Sequence, residues 1–400
     1  MRRITPIATL SALIVSAGCG GGDGAADGDR LPRWTLGLET RIGSLDDPEL
    51  GLTRVSFVAF GPDSLVYIAQ SAEHEIRAYG RDGTLRRRIG REGEGPGEFR
   101  SISAIGFLHD TLFASDAGLR RVSTFDAEGN PIESVPWSST AGEVTPPVFY
   151  LPSVPEVILA DGSALALQGY GYILPVPVER FSVPWLRIFR DSTAQDTIAT
   201  REVEVPPRET LTENGRDFQF VPPIGDQDLW ALMDDGSGIV KIERRVATSA
   251  EQHTFRLVKL DPAGDTVLTR VYDYAPVATP PGEVDRQVEN RLALYRAGSP
   301  TPSREGLTRI YAQPGFIPSY LPAASSIEPV QDGTIWLERE RADADSTKWT
   351  AIGWDGDVEG EIRLPAGARI MAGHGDVLAV LELDELDVPY VLVYRIIRQD

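Results

Sequence analysis

A short hairpin recurs six times along the chain. Each copy is an apolar strand, a tight polar turn and a second apolar strand: FGPDSLVYI (60–68), FLHDTLFAS (107–115), LADGSALAL (159–167), IGDQDLWAL (224–232), VQDGTIWLE (330–338) and AGHGDVLAV (372–380). Their Asp-Gly and Gly-Asp steps suit the positive φ angles that such turns demand. Aligned on Ser64, Thr111, Ser163, Asp228, Thr334 and Asp376, successive copies lie 47, 52, 65, 106 and 42 residues apart. Repetition on this scale signals an array of like units.

Five copies are followed by a second hairpin: IRAYGRDGTLRRRI (76–89), VSTFDAEGNPIESV (122–135), LRIFRDSTAQDTIATREV (186–203), FRLVKLDPAGDTVLTRVY (255–272) and TAIGWDGDVEGEIRL (350–364). The sixth, YVLVYRIIRQD (390–400), runs out of chain before a fourth strand can form. The missing strand is found at the other end, where WTLGLETRIG (34–43) closes like TLRRRIG (84–90). Three C-terminal strands and one N-terminal strand then complete the last sheet, which removes the exposed edges of an open array. The pattern predicts an all-β fold over 34–400, a six-bladed β-propeller of four-stranded antiparallel blades whose last blade is closed by the N-terminal strand. The long fourth step contains residues 276–322, which lack period-two alternation, so an insertion is expected between blades 4 and 5. After Pro280-Pro281-Gly282, the residues Val284, Val288, Leu292 and Tyr295 share one helical face, and Gly298 ends the helix.

The stretch GREGEGPGEF (90–99) poses a choice between a phosphate loop and a connector. No Gly-Lys-Ser/Thr follows it and no helix opens from it, while Glu92, Glu94 and Glu98 would repel phosphate. The string RIGREGEGPGEF, followed by LFASDAGLRRVSTFDAEG, resembles the repeats of NHL-type propellers, and specifically those of bacterial six-bladed propeller lipoproteins. The likeness is strong over 54–135 and weaker to residue 400. It implies that Gly-Pro-Gly-Glu-Phe links the outermost strand of one blade to the innermost strand of the next.

The first residues read differently. Met1-Arg2-Arg3 is basic, Ile7 to Val15 is apolar but too short to span a bilayer, and Ser16-Ala17-Gly18 precedes Cys19, the one cysteine in the chain. Residues 1–18 resemble a lipoprotein signal peptide, with Ser16 where leucine is more usual. The resemblance implies cleavage before Cys19 and lipid attachment to its sulfur. Residues 19–33 form a glycine-rich tether. The expected location is therefore the cell envelope, with membrane contact through the lipid anchor alone. A net charge of −20 disfavours nucleic acid, and we expect a monomer.

No catalytic set stands out. The four histidines, His74, His109, His253 and His374, share no unit and no metal-ligand spacing. Carboxylate loops lack the twelve-residue calcium pattern. Glu156 and Glu328 fall on innermost strands whose alternate side chains face the central channel, where Arg54 and Arg369 are placed to pair with them. Elaborated loops fall on one face of the predicted ring: 136–155, 168–185, 204–219, 234–254 and 273–322. Among their residues Tyr170, Tyr172, Trp185, Tyr311, Tyr320 and Arg309 are candidate binding anchors. The expected function is a non-catalytic binding or scaffolding module for an envelope protein, peptide or glycan, with no cofactor. The alternative is a metal-dependent lactonase or lyase centred in the channel, with Ca2+ as its candidate ion, although the asparagines of calcium lactonases are not matched.

Overall fold

The computed structural model describes residues 31–400 except 48, 138–147, 152, 173–178, 191–193, 226, 296–299, 340–344 and 399–400, with backbone alone at 148–151 and 169–172. Residues 1–30, Cys19 among them, lie outside the described residues. Strand β1 (Thr35–Ile42) comes first. Blade 1 comprises β2 (Val55–Phe60), β3 (Val66–Gln70), β4 (Glu75–Tyr79) and β5 (Leu85–Ile89). Blade 2 comprises β6 (Ile102–Leu108), β7 (Thr111–Asp116), β8 (Arg121–Phe125) and β9 (Pro131–Pro136). The small strand β10 (Val148–Leu151) pairs with β13 (Gly169–Tyr172) beside blade 3, whose own strands are β11 (Val157–Ile158), β12 (Ala164–Leu167), β14 (Arg180–Ile188) and β15 (Gln195–Glu204). A separate hairpin, β16 (Glu209–Glu213) and β17 (Arg216–Phe220), precedes blade 4.

Blade 4 holds β18 (Leu229–Leu232), β19 (Ile239–Glu243), β20 (His253–Leu260) and β21 (Thr266–Tyr274). Helices α1 (Glu283–Ala293) and α2 (Arg304–Tyr311) lie between it and blade 5, which is β22 (Ser326–Pro329), β23 (Ile335–Glu338), β24 (Ser346–Ile352) and β25 (Val358–Pro365). Blade 6 contains β26 (Arg369–His374), β27 (Val377–Leu383) and β28 (Pro389–Ile397), with β1 on its outer edge. The six four-stranded antiparallel blades and the closure by the N-terminal strand are as the repeats predict.

Burial follows position within the blade. Strand β3, VYIAQ, is buried at all five residues because both faces of an inner strand meet neighbouring blades. Strand β5, LRRRI, alternates with solvent and keeps Arg86 and Arg88 outside. The core is accordingly divided among the blade interfaces. Tyr67, Ile76, Phe99 and Leu112 join blades 1 and 2, while Met233, Val240, Ile335 and Leu337 join blades 4 and 5.

Ring closure rests on backbone pairing from Thr35↔Ile397 to Ile42↔Val391, with one bulge between Leu38 and Thr40. Just before β1, the Trp34 N–H donates to the Glu361 carbonyl at 2.9 Å, and the Glu361 N–H donates to the Pro32 carbonyl at 2.9 Å. The chain thus grips blade 5 before completing blade 6. The Trp34 ring meets Trp336 edge-on at 6.2 Å and lies under the Arg398 guanidinium. Gly360 makes room for it, since a Cβ there would sit 2.4 Å from the indole.

The glycine-rich stretch is a folded connector from β5 to β6. Phe99 N–H donates to the Arg91 carbonyl at 2.8 Å, and Arg121 binds the carbonyls of Glu94, Gly95 and Glu98. Phe99 is fully buried, and Gly90, at φ +86, must lack a side chain because a Cβ would come within 2.3 Å of that ring.

Two features differ from the sequence expectation. The insertion carries two helices: α1 ends at Ala293 rather than near Gly298, and a second, α2, is capped by Ser303 accepting from Gly306 N–H. Val288, Leu307, Ile310 and Tyr311 pack with Leu211 and Phe220, so the insertion docks on the β16–β17 hairpin. In blade 4 the first hairpin turn is at Met233–Gly238, where Met233 N–H donates to the Gly238 carbonyl, and not around 224–228. Leu229 to Leu232 form the innermost strand, so the Gly225-containing step lies before the blade rather than inside its hairpin.

Replacing Trp34 with alanine is expected to lower unfolding stability by about 3–5 kcal/mol. Leu38→Ala on the same strand, at an exposed position, is expected to change it by no more than about 0.5 kcal/mol. Urea unfolding of both variants checks the contrast.

Candidate functional site: a carboxylate-lined axial channel

Six innermost strands converge around an axial channel. Two cavities, of about 730 Å³ and about 430 Å³, share Val58, Ile105, Glu156, Val157 and Asp234 in their walls and so adjoin one another. The larger opens among the short turns that join first to second strands, lined there by His109, Asp161, Asp235 and Gln331. The smaller extends toward the elaborated loops and is walled by Phe57, Leu167, Trp185, Trp230 and Met371. At the short-turn end the Gln331 side chain bonds both backbone groups of Phe60, at 2.9 and 3.0 Å, and the Gln331 backbone N–H donates to the Gly373 carbonyl. Blades 5, 6 and 1 are knitted together at that mouth.

Three carboxylates reach the middle of the channel, each from a different blade. Glu156 directly precedes β11 and accepts the Leu167 N–H at 3.0 Å. Burial pushes its carboxyl above the ordinary glutamate value, and the Leu167 bond offsets this only in part. Asp234 projects from the β18–β19 turn into the cavity. It is wetted by the cavity yet enclosed by protein, so loss of bulk water, with the charges of Glu328 and Asp235, raises its pKa to about 7. Glu328, on β22, is raised to about 7 by burial, with Arg369 opposing and Glu338 reinforcing the shift. Both therefore exchange protons near neutrality.

The sequence candidates divide. Glu156, Glu328 and Arg369 do line the channel. Arg54 does not: it lies exposed before β2, outside the walls of both cavities. Arg369 lowers the Glu328 pKa through space but makes no ion pair with it. Trp185, taken as a surface anchor, is 3% exposed and packs with Val157, Leu165 and Ile198. Its indole N–H has no partner, and its ring lines the smaller cavity. Tyr311 is buried in the insertion cluster. Tyr320 is half-buried, Arg309 is exposed, and the side chains of Tyr170 and Tyr172 lie outside the described residues.

Asp234 is the residue that sequence reasoning missed. With the blade 4 turn assigned around 224–228, Asp234 fell into an outer loop, on the wrong face of the ring. The DDGSG string (234–238) carried the true signal, with Gly236 at φ +75 and Gly238 at φ +133. Among the described residues, no three His, Cys, Asp or Glu side chains converge to hold one metal ion. Glu156, Asp234 and Glu328 are thus not gathered into a three-carboxylate set around one ion.

No family model matches the sequence, and no curated protein matches it. Solved structures with a similar fold include a member of the duf4221 family from Bacteroides vulgatus, with 10% identity, a TM-score of 0.47, and coverage of 92% of this chain and 100% of that one. A gluconolactonase from Xanthomonas campestris has 10% identity and a TM-score of 0.38, over 86% of each chain. A virginiamycin B lyase from Staphylococcus aureus has 11% identity and a TM-score of 0.35, over 90% and 94%. At these identities the likeness concerns the fold.

The raised carboxyls link stability to pH. The folded state holds protons on Asp234 and Glu328 that the unfolded chain has released above about pH 4. Their stabilisation is complete below that value and is lost as pH rises through about 7. Melting temperatures measured from about pH 4 to about pH 8 should fall less steeply in Asp234→Asn and Glu328→Gln than in the unaltered protein. Identical slopes would rule out the assigned proton affinities.

Proposed function

We propose that the axial channel is a small-molecule site at which Asp234 and Glu328 transfer protons to and from a bound ligand. The observation that carries this reading is the placement of two carboxyls, from neighbouring blades, in the wall of one cavity with proton affinities near neutrality. A catalytic acid or base works best when its pKa lies near the working pH. Mutual repulsion also favours a state with one proton on the pair, which supplies an acid and a base together.

The chemistry follows from these groups. The protonated carboxyl donates to an oxygen that gains charge, and the ionised one removes a proton from carbon or from water. Elimination and hydrolysis both need this pair of transfers. The pair titrates as a unit, so neither residue is fixed as acid or base.

The scaffolding reading depends on aromatic anchors displayed by the long loops. Burial of Trp185 and Tyr311 leaves it with Tyr320 and Arg309 among the described candidates, and we rank it second. We retain the lipid anchor at Cys19 as part of the proposal, which sets the site to work on ligands outside the cytoplasm.

A panel of small esters, lactones and β-eliminable compounds, assayed for turnover with purified protein, tests the proposal. The expected result is a bell-shaped rate profile centred near neutrality, with kcat lowered about 10²–10⁴-fold in Asp234→Asn or Glu328→Gln. Turnover that survives both substitutions unchanged would refute the assignment.

A further inference from the structure

The charges and apolar surfaces of the channel are segregated, and this restricts the ligand. Among the described residues six carboxylates line it: Glu156, Asp161, Asp234, Asp235, Asp261 and Glu328. Two arginines oppose them. One, Arg187, is occupied by Asp161 and by Ser163. The other, Arg369, lies toward Glu328 at the wall of the smaller cavity. The mid-channel carboxylates come from blades 3, 4 and 5, whereas blades 1, 2 and 6 contribute Ser56, Val58, Ser103, Ala104, Ile105 and Met371, with Arg369 the charged group among them.

The smaller cavity continues this division along the axis. Beyond the carboxylates its walls are Phe57, Leu167, Trp185 and Trp230. Trp230 already carries the Lys241 ammonium 4.9 Å from its ring, and Lys241 is itself paired with Asp228 and Glu243. A second cation at that ring would be repelled, so a ligand's charge belongs deeper, among the carboxylates. Trp185 adds a nearly buried aromatic wall, 3% exposed, beside the ligand's apolar part. A cavity of about 430 Å³ is within the range that holds an ordinary small molecule.

We propose that the channel takes an organic cation, a protonated amine or quaternary ammonium, with its charged head among Glu156, Asp234 and Glu328 and its apolar body toward Trp185 and the long-loop mouth. The proposal deepens the acid–base reading of the same site by naming its ligand class. A cation beside a carboxyl favours the ionised form. Binding therefore expels protons from Asp234 and Glu328. The charged and titratable groups facing them are Asp235, which in turn acts on Lys259, His109 at the short-turn wall, and Arg369 and Glu338 around Glu328.

Calorimetry at about pH 7, in two buffers of different ionisation enthalpy, tests it with benzyltrimethylammonium, benzyl alcohol and benzoate as probes. Benzyltrimethylammonium has no proton of its own, so any proton released comes from the protein. The expected result is that it binds, releases protons and tightens as pH rises, whereas benzoate does not bind. Asp234→Asn and Glu328→Gln should each weaken it at least about tenfold. The variants lie in different blades, so a folding defect in one, visible by circular dichroism, leaves the other as the test. Absence of cation binding, or binding indifferent to both variants, overturns the inference. Benzyl alcohol or benzoate binding as tightly, with the same dependence on Asp234, overturns the ligand class but leaves the acid–base site standing. Cation binding in a protein whose turnover ignores both substitutions supports the ligand class and removes the catalytic reading.

Discussion

The hydrogen-bonded ladder between β1 and β28 holds the molecule in a ring. Its two strands come from opposite ends of the chain, pairing Thr35 with Ile397. The entropy of closing so long a loop grows only logarithmically with length, so the cost exceeds that of a much shorter closure by a few kcal/mol at most. In return blade 6 gains its fourth strand and β28 loses its open edge. Trp34 extends the grip to blade 5 through Glu361 and Trp336. Without closure, the six inner strands would not enclose an axial space, and the carboxylates within it would be hydrated as ordinary surface groups.

Enclosure is what changes their chemistry. Asp234 and Glu328 have no unusual covalent neighbours, and each owes its shifted proton affinity first to lost hydration and then to nearby charge. Elsewhere on the molecule, carboxylates are held below their ordinary range by local bonds. Glu98 accepts the Gly95 N–H and pairs with Arg91, and Asp126 is bonded by the side chain and backbone of Asn130. The contrast separates carboxylates that stabilise turns from those left poised in the channel. Gathering several acids at the centre of a fold opposes stability, and such exceptions tend to mark functional sites.

The ring itself was legible in the sequence because each blade repeats the same alternation and the last blade lacks one strand. Where a second turn signal competed, the reading slipped. Gly225 and Asp226 resembled the hairpin step of the other blades, while DDGSG, eight residues on, held the true turn. That displacement concealed Asp234. Trp185 could not be judged either, because Val157, Leu165 and Ile198, which bury it, belong to other strands of the blade and to no local pattern. Helix α2 spans only eight residues and takes its stability from packing against Leu211 and Phe220, so periodicity alone gave little sign of it. Glu156 and Glu328 were found because inner-strand position is a sequence property, but their proton affinities depend on what the other blades enclose.

Amide hydrogen exchange across Thr35–Ile42 in the intact protein tests ring closure most directly. If β1 completes blade 6, its amides bonded to β28 are protected to the same degree as those of β27, and Trp34→Ala speeds their exchange ahead of the remaining blades. Rapid exchange throughout β1, with blades 1 to 5 still protected, would contradict a closed ring and the enclosed channel that follows from it.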